Sequence, residues 1–331
     1  MPAHPTHVLF DDEPLPALLP VCDHYAGNLK FLYKAAALQQ QLGPVFDITC
    51  DLEDGAAAMT AADTLVLAAE FAGVVASAHN AHGRIGVRVH PVSDPRCEAE
   101  VELLLARCGQ RLPYLMLPKA RSAADVRQFC DLVRRTALAL GLAHPTRVHA
   151  LVETPGALRD VFDIAALPLV ESLSFGLMDY VSAHHGAIPA QAMRSPAQFE
   201  HPLVRRAKAE IAAACHTYGK VPSHNVCVDV QDAQAAGDDA ARAQREWGYA
   251  RMWSIHPAQI EPIVRALSPS AQGLLQAEDV IAQALAADWA PVAVAGRLHD
   301  RASYRLYWTM LSRANAAGYQ AQRREIAALW S

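Results

Sequence analysis

Two acidic residues closely follow short apolar runs and have the chemistry of magnesium ligands. Glu153 comes directly after the run Val148–Val152, and Asp179 comes shortly after Leu169–Phe175. Magnesium prefers oxygen ligands in an octahedral shell and keeps several waters, so one or two carboxylates suffice when substrate oxygens complete the shell. Taken singly, each residue is more often a solvated loop carboxylate. Two of them at the ends of neighbouring buried strands favour a metal site.

An acidic cluster and an arginine form a second group of residues that could take part in catalysis. Asp51, Glu53 and Asp54 crowd three negative charges near the end of the run Phe46–Leu52, where repulsion is costly unless a cation offsets it. Arg88, at the end of the next run, is the expected partner. Its planar guanidinium can also hold a carboxylate or a developing enolate oxygen. A purely structural ion pair with the acidic cluster is the alternative.

Lys119 raises the possibility of a Schiff-base lysine. No second lysine lies close to it in the sequence to lower its pKa, so we expect a structural or electrostatic role. His184 and His185 are expected to be loop histidines, because adjacent side chains rarely both point at one ion.

These side chains can meet only if the strands that carry them end at one place. Longer alanine-rich stretches of helical period separate eight short apolar runs, so strands and helices alternate. Alternation at this count predicts a parallel (β/α)₈ barrel, in which the loops after the strands build the active site. The predicted strands are Leu18–Cys22, Phe46–Leu52, Ile85–Val89, Tyr114–Leu117, Val148–Val152, Leu169–Phe175, Val221–Val228 and Met252–Ile255.

A doubly wound open sheet is the competing layout. The segment Ala26-Gly27-Asn28 does not match the glycine-rich phosphate fingerprint expected after the first strand of such a sheet, so we favour the barrel. The alternation stops after Ile263. We therefore predict a barrel domain over residues 1–265 and a small C-terminal lid or oligomerisation module over 266–331. That module should contain a hairpin-like or loop segment, Ala290–Asp300, and a last helix, Ser303–Ala316.

Composition and charge exclude several classes of protein. The net charge of −5 offers no general attraction to nucleic acid or to an anionic membrane. The apolar stretches are too short to span a membrane, and Met1–Glu13 lacks the apolar core of a signal peptide, so we expect a cytoplasmic protein. None of the seven cysteines forms a CxxC pair, which argues against zinc ribbons and disulfide frameworks; most should be small core residues.

Several short motifs, in their order and spacing, resemble the citrate lyase beta-subunit and malyl-CoA lyase family of the HpcH/HpaI aldolase superfamily. The resemblance extends from about Ala26 to Ala317. The motifs are Asp51-Leu52-Glu53-Asp54, Arg88-Val89, Leu117-Pro118-Lys119, Val152-Glu153-Thr154-Pro155, Gly176-Leu177-Met178-Asp179-Tyr180, Ser254-Ile255-His256-Pro257-Ala258-Gln259-Ile260, Ser268-Pro269 and Gly296-Arg297-Leu298-His299-Asp300.

This resemblance implies a (β/α)₈ barrel with bound Mg²⁺ and a homotrimer or a dimer of trimers. It also implies reversible cleavage of a β-hydroxyacyl thioester to an α-keto acid and an acyl thioester. Glu153 and Asp179 would bind magnesium, and Arg88 would hold the oxygens of the keto acid. Further roles are implied at the other strand ends and in the C-terminal motif: Asp51, Glu53 and Asp54 order bound waters and support catalysis, Pro155, Gly156 and His256 contact the substrate, and Asp300 exchanges a proton with the acyl methyl carbon in a neighbouring subunit's site.

The sequence departs from the family where coenzyme A is usually bound. Pro20-Val21-Cys22-Asp23-His24-Tyr25 replaces the usual Arg-Ser opening, and Gly55–Glu70 contains no lysine or arginine. Losing these positive charges weakens the binding of a phosphorylated carrier, so the carrier stays open. Three functions also stay open: a lyase for citryl-, malyl- or citramalyl-type thioesters, a thioester hydrolase with the same metal site, and a non-catalytic keto-acid-binding protein.

Overall fold

The computed structural model describes residues 4–11, 13, 15–56 and 59–330. They form two compact units. One runs from Val21 to Leu267, and the other combines the described residues up to Pro20 with those from Ser268 onward. The sequence placed residues 1–265 in the barrel, but the chain before Val21 groups with the C-terminal unit. Burial of apolar side chains explains this grouping, because Leu9 and Phe10 lie in the core of that unit.

The first unit is a closed barrel of eight parallel strands, in which each strand pairs with the next and the eighth pairs with the first. This confirms the predicted (β/α)₈ fold. The strands are β1 Cys22–Ala26, β2 Phe46–Asp51, β3 Ile85–Arg88, β4 Tyr114–Leu117, β5 Arg147–Val152, β6 Val170–Phe175, β7 Val221–His224 and β8 Arg251–Ser254, and the C-terminal unit adds a hairpin of β9 Val292–Val294 and β10 Arg297–His299.

Helices follow most of the barrel strands and make up most of the second unit. They are α1 Pro5–Phe10, α2 Leu29–Leu42, α3 Ala61–Ala76, α4 Arg96–Cys108, α5 Ala123–Ala139, α6 Pro155–Arg159, α7 Val161–Ala165, α8 Leu177–Ser182, α9 Pro202–Thr217, α10 Ala233–Trp247, α11 Pro257–Leu267, α12 Ala271–Ala286, α13 Arg301–Ala316 and α14 Arg324–Ala327. None of the helices described is both long and apolar enough to cross a membrane.

The strands face two environments because their side chains alternate. On β2, Phe46, Ile48 and Cys50 join the large apolar core. The other face of β2 points into the barrel. All seven cysteines are free and buried, as expected of small core residues.

The barrel interior is charged, and this explains the wrong position predicted for the first strand. Arg251 on β8 lies 2.6 Å from Asp47 and 3.1 Å from Asp23, and all three are almost completely buried. Thr49 donates a hydrogen bond of 2.7 Å to Asp23. These polar residues interrupt the apolar pattern, and the sequence therefore predicted the strand too early, at Leu18–Cys22. In the structure β1 begins at Cys22. Removing one partner of such a buried pair costs about 3–5 kcal/mol.

The C-terminal unit has its own core, in which Leu274, Ile281, Tyr304, Trp308 and Leu311 pack together. The segment predicted to be hairpin-like or a loop contains the β9–β10 hairpin, and α13 lies where the last helix was predicted. Arg301 ties α1 to this unit by donating hydrogen bonds to the Leu9 carbonyl.

Candidate active site

Arg88 is held rigidly at the end of β3 by the Asp51 carboxylate on β2. Its Nε donates to Asp51 Oδ1 (2.7 Å) and its Nη2 donates to Oδ2 (2.5 Å). The same carboxylate accepts backbone N–H bonds from Glu53 (3.0 Å) and Gly55 (2.7 Å). Asp51 is completely buried and Arg88 is only 8% exposed. The guanidinium is therefore a fixed positive charge, and Asp51 serves to position it.

The other two acidic residues of the cluster pair mainly with Lys119. The Lys119 ammonium lies 2.6 Å from Glu53 and 2.5 Å from Asp54, while Glu53 also lies 3.3 Å from Arg88. Partial burial lowers the pKa of Lys119, but the bonds to Asp54 and Glu53 outweigh it and raise the pKa above its usual value. The amine stays protonated, which disfavours a Schiff-base role and agrees with the electrostatic role expected from the sequence.

Glu153 ends β5 as a deeply buried carboxylate. It is 2% exposed, and its Oε1 accepts a hydrogen bond from the backbone N–H of Lys119 (2.5 Å). Lys119 has a φ of 50°, a left-handed conformation that is uncommon for a residue other than glycine. Burial, followed by the nearby Asp179 carboxylate, raises the pKa of Glu153 to about 8. A buried carboxylate whose ionisation is opposed by a neighbouring carboxylate is stabilised by a cation.

Asp179 lies in the first turn of α8, which follows β6, and is half-buried. Gly176 precedes this helix and brings its backbone against Glu153. A Cβ built on Gly176 would overlap Glu153 Oε2. The absence of a side chain at this position is what lets β6 and α8 approach the carboxylate.

This donor set fits a magnesium ion. In the part of the chain that the structure describes, no group of three or more His, Cys, Asp or Glu side chains is arranged around a metal position. Magnesium uses one or two carboxylates and takes its other ligands from water and substrate. Glu153 and Asp179 supply such a pair.

Gly176→Ala should weaken divalent-cation binding by about 10-fold or more, because the methyl group displaces the Glu153 carboxylate; loss of supporting groups around metal ligands has effects of this size. Isothermal titration of the metal-free protein with Mg²⁺ measures it. The matched control is Gly73→Ala on α3, where a Cβ meets no atom within 4 Å. Unchanged Mg²⁺ affinity in Gly176→Ala would show that Glu153 is not a ligand of the metal.

Two aromatic residues that the sequence did not single out complete the centre. Tyr25 on β1 lies under Arg88, with the guanidinium carbon 5.0 Å from its ring centroid. Trp253 on β8 packs against Tyr25 at a centroid distance of 4.6 Å. The wrong position predicted for β1 hid Tyr25. The signal available in the sequence was a bulky aromatic residue, Tyr25, shortly after an apolar run.

A cavity of about 540 Å³ opens beside this centre. Its wall includes Glu53, Asp54 and Lys119 together with Arg96 and His90. His90 is held by the buried Glu100, 2.6 Å away, and Arg96 is paired with Asp94. The Arg96 and Lys119 cations in the cavity wall are thus already matched by carboxylates.

The remaining residues predicted for the site have evident structural contacts. Pro155 and Gly156 form the first turn of α6, and a Cβ on Gly156 would overlap the Arg121 carbonyl. His256 is exposed after β8, and its Nδ1 accepts a hydrogen bond from the backbone N–H of Ala258 (3.3 Å). Asp300 lies in the C-terminal unit, where it is exposed and caps α13 by accepting from the Ala302 N–H (3.0 Å).

A model of the family described as HpcH/HpaI aldolase/citrate lyase matches residues 39–257, which is well over half of the chain. The chain belongs to this family. A similar relative is the L-malyl-CoA/beta-methylmalyl-CoA lyase of Cereibacter sphaeroides, 28% identical over 234 residues that cover 67% of this chain and 73% of the relative.

Solved structures of other proteins share this fold. A citrate lyase from Burkholderia xenovorans LB400 is 52% identical and superimposes with a TM-score of 0.83 over 99% of both chains. The CitE protein of Mycobacterium tuberculosis, in complex with magnesium, acetoacetate and coenzyme A, is 23% identical, with a TM-score of 0.64 over 90% of this chain and 98% of that one. The barrel fold is therefore common to all three.

Proposed function

We propose that this protein is a magnesium-dependent carbon–carbon lyase that cleaves a β-hydroxyacyl thioester to an α-keto acid and an acyl thioester. One observation carries the proposal: the buried Glu153, with Asp179 beside it, lies in the same barrel mouth as the Arg88 guanidinium that Asp51 holds fixed. The relatives of Cereibacter and Burkholderia are named as lyases, which supports the same reaction class.

Glu153 and Asp179 would hold the magnesium ion. When bound, magnesium supplies positive charge to the oxygens of the keto acid and accepts them as ligands. The two carboxylates provide the affinity for the ion, and burial of Glu153 keeps competing water away from its side of the site.

Arg88 is the main electrostatic stabiliser offered by the chain itself. As the β-hydroxyl loses its proton to water, the carbon–carbon bond breaks. The bonding electron pair stays on the thioester fragment as an enolate, and the other fragment becomes a keto acid. A guanidinium already oriented by Asp51 stabilises negative charge on these oxygens without having to reorganise. Glu53 and Lys119 fix the loops around it by bridging the ends of β2 and β4.

Asp300 is proposed as the group that delivers the proton to the enolate carbon, in the active site of a neighbouring subunit of a homotrimer or a dimer of trimers. Its carboxylate is exposed on the C-terminal unit and caps α13 by accepting hydrogen bonds from the backbone N–H groups of Ala302 and Ser303. Light scattering on the purified protein measures the assembly directly.

Mixing Asp300→Ala protein with Glu153→Ala protein should restore part of the activity that each variant lacks. A mixed oligomer contains some sites with an intact metal pair and an intact Asp300 from the neighbour. The measurement is keto-acid release before and after the two variants are exchanged through mild dissociation. Activity that stays at the sum of the two separate variants would show that each subunit supplies its own Asp300.

The proposed function is tested by a coupled assay for keto-acid release from malyl-, citramalyl- and citryl-thioesters. Coenzyme A and pantetheine esters are compared, since the residues that usually bind coenzyme A are missing. Keto acid formed only with Mg²⁺ supports the lyase. Free thiol without keto acid would indicate the hydrolase instead of the lyase. Absence of both products would indicate a non-catalytic binding protein.

A further inference from the structure

A completely buried lysine, Lys208, lies on α9, outside the groups that would hold the metal and the keto acid. Its amino group lies 3.0 Å from Gln198 Oε1 and 2.7 Å from Asn225 Oδ1, and it also contacts His224 Nε2. Three acceptors require three N–H groups, which only the ammonium form of a lysine has. Because lysine is almost never fully buried unless it is paired, these contacts form a specific enclosure for the ammonium.

Asp239 and Arg242, both on α10, are the charged groups that act on the Lys208 amine. Burial lowers the pKa of Lys208, the Asp239 carboxylate opposes this shift, and Arg242 adds to it. Gln198 connects the amine to the carboxylate, because its Nε2 donates to Asp239 Oδ2 at 2.9 Å. His224 is neutral, since burial, followed by the Lys208 charge, lowers its pKa well below the usual value. Its Nδ1 donates to a backbone carbonyl at 3.1 Å, which leaves Nε2 to accept from the ammonium.

Two aromatic rings complete the enclosure. The Lys208 Nζ lies 4.5 Å from the ring centroid of Phe199 and 5.6 Å from that of Phe175. Aromatic faces attract a cation at such distances, most strongly where water is excluded. Phe175 is the last residue of β6, and its ring packs against Tyr180 in α8 at a centroid distance of 5.4 Å. Tyr180 follows Asp179, so this contact links the ammonium to the helical turn that carries a proposed metal ligand.

Lys208 joins two segments that follow neighbouring strands at the barrel mouth. The first, which we call the β6 loop, is residues 183–201, between α8 and α9, and it contains Gln198. The second, the β7 loop, is residues 225–232, between β7 and α10, and it begins with Asn225. Gln198 Oε1 also accepts a hydrogen bond from Asn225 Nδ2 at 2.9 Å, so both loops meet at an acceptor of the ammonium. Without the ammonium, buried acceptors on both loops lose a donor, which favours an opening that admits water.

We propose that Lys208 is a positioning residue of the barrel mouth, whose buried ammonium holds the β6 loop and the β7 loop together and supports the turn that carries Asp179. The acceptors on both loops and the contact with Phe175 carry this inference. The ordering of the loops follows from these contacts alone, and its effect on turnover rests on the proposed lyase function. Lys208 acts through the groups that it orders and not on the substrate.

Lys208→Ala removes the amino group with its propyl chain, and n-propylammonium supplies those atoms again. Gln198 and Asp239 border a cavity of about 390 Å³, which brings solvent next to the enclosure. The measurement is hydrogen exchange followed by mass spectrometry on the full chain, with and without this amine. We expect amide exchange in both loops to rise about 10-fold or more in Lys208→Ala and to return toward the parent rate with n-propylammonium. n-Propanol, which has the same chain length without the charge, should not restore the parent rate.

Lys220→Ala is the matched control, because Lys220 is a partly buried lysine just before β7, at the opposite end of that strand from the mouth. Burial lowers its pKa as well, and its amine donates to the Leu167 carbonyl at 3.3 Å. This variant should leave exchange in both loops unchanged. Lys208→Met fills the enclosure without an N–H and gives the same exchange test if the alanine variant does not fold.

Three exchange results would overturn the positioning role of Lys208. They are a rise spread evenly over the barrel, loops that exchange at the parent rate, and a rise that n-propylammonium reverses no better than n-propanol. The first would make Lys208 a general contributor to stability, and the third would show that side-chain volume matters and not the charge.

Keto-acid release separates this inference from the proposed function. In an active parent protein, kcat/KM of Lys208→Ala should fall about 10-fold to 10²-fold and recover with n-propylammonium, because small displacements of the reacting groups are costly. A parent protein that releases no keto acid would overturn the lyase, while the local exchange response would keep the role of Lys208 in ordering the loops. Lyase activity that Lys208→Ala leaves unchanged would overturn the positioning role and keep the lyase.

Discussion

Glu153→Gln is expected to reduce Mg²⁺-dependent keto-acid release by about 10³-fold or more and to abolish the response to added Mg²⁺. The change removes one of the two carboxylates proposed to bind the ion, and charge stabilisation of this kind is usually the largest contribution to catalysis. Glutamine keeps the shape of the side chain and can still accept the Lys119 N–H through its amide oxygen. Steady-state kinetics across a Mg²⁺ titration gives both quantities.

The same variant should not unfold more readily than the metal-free parent. Burial raises the pKa of Glu153 from 4.5 to about 8, so in the metal-free protein this group increasingly destabilises the fold as the pH rises from 4.5 to about 8, and the neutral amide removes that penalty. Thermal denaturation of both proteins without Mg²⁺ compares their stabilities. Glu210→Gln, an acidic position on the outer helix α9, is the control for both experiments. Retained magnesium activation in Glu153→Gln would mean that the ion binds elsewhere.

Most of the barrel is readable from the sequence because its outward strand faces are apolar. The runs that became β2 to β8 contain Ile48, Val87 and Leu173, which are completely buried against the helices. Such runs signal strands buried on both sides. The barrel then follows from the regular alternation with helices.

The first strand escaped prediction because its inward face is polar. Asp23 points toward Arg251, whose partner Asp47 lies on the next strand. Both partners are far apart in the sequence, and nothing in the sequence near β1 announces the pair. Apolar periodicity therefore favoured Leu18–Cys22, just before the strand. The N-terminal segment was misplaced for a similar reason, since the core that buries Leu9 and Phe10 is built from the far end of the chain.

At the site, charged side chains were easier to foresee than the groups that orient them. Opposite charges at adjacent strand ends predicted the pairing of Arg88 with Asp51, which the structure brings together. The hydrogen bond from the Lys119 backbone to Glu153 had no such signal, because every residue carries the same N–H. The overlap that requires Gly176 depends likewise on the approach of two strands, which spacing along the chain does not reveal.

Arg88→Lys is the sharpest test of the electrostatic half of the site. A lysine is a single point charge and cannot donate to both Asp51 oxygens while facing the substrate, so kcat should fall by about 10²–10³-fold. Magnesium affinity should stay within about 3-fold, because the ion is assigned to Glu153 and Asp179. Substitutions at groups that share no contact usually change each other's free energies only by that much.

The matched control is Arg159→Lys on α6, which breaks another two-point arginine–carboxylate contact, with Asp160, at an exposed position. It should leave both turnover and magnesium binding unchanged, since exposed ion pairs contribute little. A loss of magnesium affinity in Arg88→Lys equal to its loss of turnover would make the arginine part of the metal site. An unaffected kcat would leave Arg88 as a structural partner of Asp51 alone, and the enolate would need another stabiliser. Turnover lost with magnesium binding retained would assign the two tasks to separate groups, the carboxylate pair for the ion and the guanidinium for the developing charge.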